Sequence, residues 1–405
     1  MMARRVFIFD IDSVLVEPKG YRAAVRATQA YFTHAMQLDD GVLVDDDIYS
    51  FFEACRVTSE WDMVPLALAI LLEKILEAHP KLSRQDDLET CMQAIRRIPP
   101  DNLPGEIDYR TPILAISTHL HSQNYPAYQV LKLAQSVRSK TEQAPESGFP
   151  TFSILAQTPI LEILLAHTRD IYRSPTTRLF QQFSLGSRAF ERTYDLFPDV
   201  ETPSLLLEHD QSLISHNMGQ TLAQLYQSGD LALCAYTMRP SLPPSEAQIG
   251  NKGYSPEAEM ALQLVNLTGI PLIGYGRIHY LAQQVGWSEE KMLKPSPVQA
   301  IAAVLAAVTG EELTALHTAL KVYQGITGAL DSFSLGDEII VSVFEDSAGG
   351  IEAMQLAGDL LARAGMKIQV HSYGITNHPE KGAALQRNQI PIFQSTEEAV
   401  KVALA

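Results

Sequence analysis

Residues 6–10, Val-Phe-Ile-Phe-Asp, form a short apolar run that ends in an acid. β-Branched and aromatic residues without polar interruption, closed by a turn, are the pattern of a strand buried on both faces. Runs of the same kind return only much later, at 231–237, 271–275, 339–344, 367–371 and 390–393. Apolar positions at helical spacing separate them, at 256–267, 297–308, 350–364 and 397–404. Strands alternating with helices predict an α/β fold with a doubly wound, Rossmann-like parallel sheet covered by helices on both faces. The first strand therefore belongs to a domain whose other strands begin after residue 230.

The roughly 200 residues in between are far too many for a connecting loop and read as mainly helical. Tyr21, Val25, Phe32 and Met36 share one helix face, and Thr28 lies among them with its methyl group able to pack there. Similar patterns occupy 65–78, 111–121, 128–137, 159–172 and 219–227. The polar, Pro- and Gly-containing stretch 140–150 (KTEQAPESGFP) reads as a linker dividing this insert into two helical groups. The expected organisation is a core of residues 1–18 and 229–405 with an inserted helical domain, 19–228, split near 140–150. A length of 405 residues fits two domains.

Chemistry gathers at the strand ends. Asp10 and Asp12 stand two positions apart where the first strand stops, the place where open α/β sheets bind ligands. One carboxylate there can attack phosphorus while the other moves a proton; strand-end acids also serve simply as turn caps. Thr237 closes the run 231–237, as a phosphoryl hydrogen-bond donor or as an ordinary turn residue. Lys294 precedes Pro295, Ser296 and Pro297, the last suited to a first helical turn; it can neutralise a phosphoryl group or stand on a solvated surface. Glu345 and Asp346 end the run 339–344 and are followed by Gly349, Gly350 and a helix. Such acids suit Mg²⁺, which takes one or two carboxylates plus water and phosphate oxygens, or they cap the helix N-terminus.

Taken in order, nucleophile strand, hydroxyl strand, lysine and acidic pair make a joint signal that none of them carries alone. The chain resembles the haloacid dehalogenase superfamily, in the branch with a cap inserted after the first strand. Asp10-Ile-Asp12-Ser-Val matches that family's first motif, DxDGT or DxDGV. Thr237 with Met-Arg-Pro matches the second, Lys294-Pro-Ser-Pro the third, and Phe344-Glu-Asp-Ser-Ala-Gly-Gly-Ile-Glu-Ala the fourth, in the EDSxxGIxA form of sugar-phosphate members. The match covers residues 1–20 and about 230–405 at superfamily level. Ser13 stands where the family has Gly, and the insert is much larger than the common helical cap, so cap specificity does not transfer. The resemblance implies a Mg²⁺-dependent phosphatase with Asp10 as nucleophile and Asp12 as acid and base, its backbone carbonyl on the ion. It also implies that Thr237 and Lys294 hold the phosphoryl oxygens, while Glu345 and Asp346 complete the metal site with Asp10. The second Asp argues against a dehalogenase, whose halide leaving group needs no acid. A phosphomutase would keep every motif, and a non-catalytic phosphometabolite-binding protein is the remaining alternative.

Composition narrows partners and location. Hydrophobic residues make up 46% and charged residues 19%, within the range of globular proteins. A net charge of −16 argues against a nucleic-acid partner held through phosphates. Cys55, Cys91 and Cys234 are odd in number and widely spaced, which predicts a reducing, cytoplasmic setting. The longest apolar stretch, 63–72, falls well short of the ~20 residues that span a bilayer. The expected substrate is a small phosphorylated metabolite. Candidates for its recognition are Arg22 and Arg26, one helical turn apart, Trp61 at a helix start, and Arg239 just beyond Thr237. Each also has a plain alternative: a solvated face for Arg22 and Arg26, core packing for Trp61, a surface ion pair for Arg239. His371 and His378, near strand ends, lack ligand spacing and read as structural.

Overall fold

The computed structural model describes residues 3–121, 125–140, 152–250, 253–331, 333 and 338–405. The chain divides into two compact units, Met1–Lys19 with His209–Ala405, and Gly20–Glu208.

The first unit is an α/β body around a parallel sheet. Its strands are β1 (Arg4–Phe9), β2 (Val16–Glu17), β3 (Gln211–Ser212), β4 (Ala232–Tyr236), β5 (Leu272–Ile273), β6 (Ile339–Glu345), β7 (Ile368–Ile375) and β8 (Ile392–Phe393). Six of them form one sheet in the order β5-β4-β1-β6-β7-β8, with every neighbouring pair parallel. All six are the strands expected from the apolar runs. β1 is apolar throughout its second half because both faces are covered. Val6 and Ile8 pack with Cys234, Tyr236, Val341 and Val343 under helices Pro297–Thr309 and Ala348–Arg363. Phe7 and Phe9 point the other way, against Leu222, Leu262 and Val400 from three other helices.

Helix Pro297–Thr309 shows how local sequence sets this layering. Ser296 caps it, Pro297 opens it, and Gly310 at φ +79° closes it. Ala300, Ala302, Ala303, Ala306 and Ala307 are all buried. Their small side chains suit a helix enclosed by sheet on one side and helix Glu312–Tyr323 on the other.

The insert begins where expected but ends earlier, at Glu208 rather than at 228. β3 pairs antiparallel with β2, Val16 opposite Ser212, and Leu213 N–H donates to the Leu15 carbonyl at 2.8 Å. Helix His216–Ser228 then buries Leu222 in the same cluster as Phe7 and Phe9. Periodicity had marked that helix correctly, but a helical pattern does not say which body receives its apolar face.

The second unit is helical among its described residues. Its longest helix, Glu60–Ala78, is buried along most of its length and packs with Phe32, Ile113, Val130, Leu161 and Leu164 from surrounding helices. The helix read at 159–172 is shorter, Ile160–Leu165. Beyond it Thr168 and Arg169 turn away to bond the buried Asp62, which ends the helical run. The linker read at 140–150 lies outside the described residues apart from Lys140. No helix among the described residues is long and apolar enough to cross a membrane.

Glu73, 2% exposed, is the polar anchor of this helical core. Its carboxylate accepts bonds from Ser153 Oγ at 3.0 Å, Ile154 N at 2.9 Å and Leu155 N at 2.7 Å. Two backbone amides, one buried and one part-buried, therefore depend on one side chain. Glu73→Ala is expected to lower unfolding free energy by about 1–3 kcal/mol, the cost of orphaning such donors. Glu77→Ala, on the exposed side of the same helix, should stay within about 0.5 kcal/mol. Denaturant unfolding of the two variants side by side checks this.

Candidate active site at the strand ends

β1 lies between β4 and β6, with the chain continuing outward through β5 on one side and through β7 and β8 on the other. Such a reversal of strand order opens a crevice at the carboxyl ends of the strands. Asp10 follows β1, Thr237 follows β4, and Glu345 with Asp346 ends β6. Phe9 stacks on Phe344 with ring centres 4.6 Å apart, and Phe344 stacks on Tyr373 at 5.1 Å. The residues immediately before the acids are thus locked across three strands, contributing about 0.5–1.5 kcal/mol per ring pair beyond burial.

Past β1 the chain makes a tight turn. Asp10 N–H continues the ladder by donating to the Phe344 carbonyl at 3.0 Å, and Ser13 N–H donates to the Val16 carbonyl at 2.8 Å. Ile11, Val14, Leu15 and Val16 are completely buried and pin the turn in place. Ser13 sits at φ +61°, the left-handed region that costs a side-chain-bearing residue roughly 1–2 kcal/mol. The Gly expected there by resemblance would adopt it without that cost.

Asp10, Glu345 and Asp346 converge, each offering a carboxylate oxygen within 4.8 Å of the others. Lys294, 8% exposed, lies between two of them, with Nζ 3.1 Å from Asp10 Oδ2 and 2.7 Å from Glu345 Oε2. The same ammonium stands 3.7 Å from the ring centre of Tyr236, whose hydroxyl donates to the Gly350 carbonyl at 2.6 Å. Ser347 Oγ donates to Glu345 Oε1 at 2.8 Å and caps helix Ala348–Arg363 by accepting from Gly350 N–H. Lys381 pairs with Asp346.

The electrostatics follow from this crowding. Burial, then the Glu345 carboxylate, pushes the Asp10 carboxyl well above the ordinary carboxylate range, with Lys294 pulling it back. Burial also works against ionised Glu345, but the charge and hydrogen bond of Lys294, helped by Ser347, hold its carboxyl low. Burial raises Asp346 against the pull of Lys381. Burial works against the Lys294 ammonium, yet the charges of Asp10 and Glu345 raise its pKa above the usual lysine value. An all-oxygen donor set with surplus negative charge is what a hard divalent ion such as Mg²⁺ takes. On donor type and spacing, these three acids fit the ion.

The remaining sequence candidates fall as follows. Thr237 is 1% exposed, and its Oγ1 accepts the Arg239 N–H at 3.2 Å. Gln299 ties the Thr237 carbonyl to that of Ile273. The Asp12 carboxylate is not among the three converging acids and bonds Arg239 instead; the resemblance implies only its backbone carbonyl as a link to a metal. Arg239, expected to meet substrate, is buried between Asp12 and Asp210. Arg22 and Arg26 pair with Glu53 at 4.0 Å and Asp46 at 2.7 Å within the helical unit. Trp61 packs on that unit's core under the guanidinium of Arg169. Sequence reasoning does not single out Tyr236, Asp210 or Lys381, and it includes Ser347 in the fourth motif without a role. An aromatic hydroxyl in an otherwise aliphatic strand was a signal for Tyr236; Asp210 and Lys381 carried none.

No protein-family model matches the chain, and no curated protein matches it. Among solved structures it is similar to the X-ray structure of a Northeast Structural Genomics Consortium target, at 13% identity with a TM-score of 0.59. That likeness covers 99% of this chain and 98% of the other, and at this identity it extends to the fold alone.

Gly350 makes the acidic cluster possible, because a Cβ there would stand 2.2 Å from the Glu345 carboxyl group. Gly350→Ala is expected to lower unfolding free energy by about 1–3 kcal/mol through overpacking. Gly349→Ala, whose Cβ would meet only Pro295 at 3.8 Å, should leave it unchanged in the same denaturant titration.

Proposed function

We propose that the chain is a Mg²⁺-dependent phosphohydrolase acting on a small phosphorylated metabolite through a phosphoryl group carried by Asp10. The observation that carries this reading is the meeting of Asp10, Glu345 and Asp346, at adjacent strand ends, with Lys294 from the turn before helix Pro297–Thr309. The same four residues bear the motif resemblance to the haloacid dehalogenase superfamily, in which the inserted helical unit would correspond to an enlarged cap. Asp10, Glu345 and Asp346 would hold Mg²⁺, which supplies charge neutralisation for the phosphoryl oxygens and the nucleophile.

In the first step an Asp10 carboxylate oxygen bonds to phosphorus as the ester P–O bond breaks, and Asp12 passes its proton to the departing oxygen. In the second, water attacks phosphorus and gives a proton to Asp12, the Asp10–phosphorus link breaks, and inorganic phosphate leaves. Lys294 offsets charge on Asp10 and on the transferred group throughout. The Thr237 hydroxyl, which accepts from Arg239 N–H, retains its own proton to donate to a phosphoryl oxygen.

A panel of phosphorylated metabolites, assayed for phosphate release with and without Mg²⁺, is the direct test. Asp10→Asn is expected to abolish release while leaving the circular dichroism spectrum and melting temperature near wild type. Near-normal release from that variant would refute covalent catalysis. Isomerised sugar phosphate in place of free phosphate would identify a mutase.

Asp346→Ala, and less severely Glu345→Ala, should raise the Mg²⁺ concentration giving half-maximal rate. Full activity of chelator-treated protein without added metal would contradict the assignment of the acidic pair.

A further inference from the structure

An acid–base carboxylate has to present one chosen oxygen to the leaving group. Asp12 sits in the turn beyond β1 with a side chain 35% exposed, where a free carboxylate would sample several rotamers. Arg239 removes that freedom. Its Nε donates to Asp12 Oδ1 at 2.6 Å and its Nη2 donates to Asp210 Oδ2 at 2.9 Å. The side chains of Arg239 and Asp210 are 1% and 3% exposed. The Arg239 backbone is fixed as well, its N–H on Thr237 Oγ1 and its carbonyl accepting from Tyr275 N–H at 3.1 Å. Asp210 immediately precedes β3, which pairs with β2, four residues beyond Asp12. Both acids bound by the guanidinium therefore belong to one braced ribbon.

We propose that Arg239, anchored by Asp210, is a positioning residue that holds Asp12 for proton transfer. The inference rests on the phosphohydrolase reading. The planar guanidinium engages Oδ1 and leaves Oδ2 to deliver the proton to the ester oxygen and later to accept one from water. A lysine could not reproduce this, because a point charge on a flexible stem lacks the two-sided fork. Burial of the arginine between two carboxylates makes the arrangement rigid, since leaving either partner unpaired is costly.

The test is the dependence of kcat/KM on leaving group, measured with phenyl, 4-nitrophenyl and 2,4-dinitrophenyl phosphate in the presence of Mg²⁺; kcat/KM reports the step that forms the Asp10–phosphorus link and not the hydrolysis common to all three esters. A correctly placed acid makes the wild-type value nearly insensitive to the phenol released. Arg239→Lys and Asp210→Ala are expected to lower kcat/KM on phenyl phosphate by roughly tenfold to a hundredfold, with a change of about threefold or less on the dinitrophenyl ester. Asp12→Asn should give the same steepening as a limit, and the double variant Arg239→Lys/Asp210→Ala should fall no further than the worse single one, because the pair acts as a unit. Arg239→Met/Asp210→Leu removes both buried charges together and provides a folded protein should a single change prove too disruptive. Equal losses of kcat/KM on all three esters would overturn the positioning role and leave the phosphohydrolase standing. Absence of phosphate release from the wild-type chain on every ester would overturn both.

Discussion

Mutual repulsion among three carboxylates is the constraint around which the first unit is arranged. Asp10, Glu345 and Asp346 are all buried, and their oxygens approach within 4.8 Å. Two like charges at about 4 Å repel by about 4 kcal/mol in a medium of intermediate dielectric, and burial adds a desolvation cost for each. Lys294 supplies the internal countercharge, reaching two of the three acids at once. Two lysines stand against three acids, the enclosed Lys294 and the half-exposed Lys381, so full ionisation leaves one negative charge in excess, and burial with Glu345 pushes the Asp10 carboxyl up. The divalent cation proposed for the site would offset that charge and favour ionised Asp10.

The fold contributes the rigidity that keeps the acids from moving apart. Asp10 and Glu345 are the next residues after Phe9 and Phe344, whose rings stack across adjacent strands. Glu345 is further held by Ser347, and the bare backbone of Gly350 leaves space for its carboxyl group. Tyr236 places its ring beside the Lys294 ammonium while its hydroxyl ties β4 to helix Ala348–Arg363. Strand pairing, aromatic stacking and helix capping thus end at the same few atoms. Relaxing any of them would let the carboxylates separate and loosen the cluster proposed to hold Mg²⁺.

Much of this was legible in the sequence, for a physical reason. Strands of a parallel sheet covered on both faces must be apolar throughout, so six short runs, three of them closed by Asp10, Thr237 or Glu345, stand out even 200 residues apart. The acids and Lys294 were readable because each lies where a strand ends or a helix starts. Partnership across the fold was not. Nothing near Arg239 in sequence indicates Asp210, which reaches it only because β2 and β3, two residues each, bring the ends of the insertion together. Strands that short have no periodicity to detect, which is also why helix His216–Ser228 was assigned to the wrong unit. Arg22, Arg26 and Trp61 were readable only as residue types suited to anion or ring recognition; their partners Glu53, Asp46 and Arg169 within the helical unit come from segments that sequence spacing does not connect to them.

The central claim is that Asp10 carries the phosphoryl group. It is tested most directly by quenching the protein in acid during turnover, reducing with borohydride and analysing the peptides by mass spectrometry. An acyl phosphate on Asp10 is converted to homoserine by this treatment, so the account predicts homoserine at position 10, dependent on both substrate and Mg²⁺. Turnover with Asp10 unmodified, or reduction at another acidic residue, would contradict it.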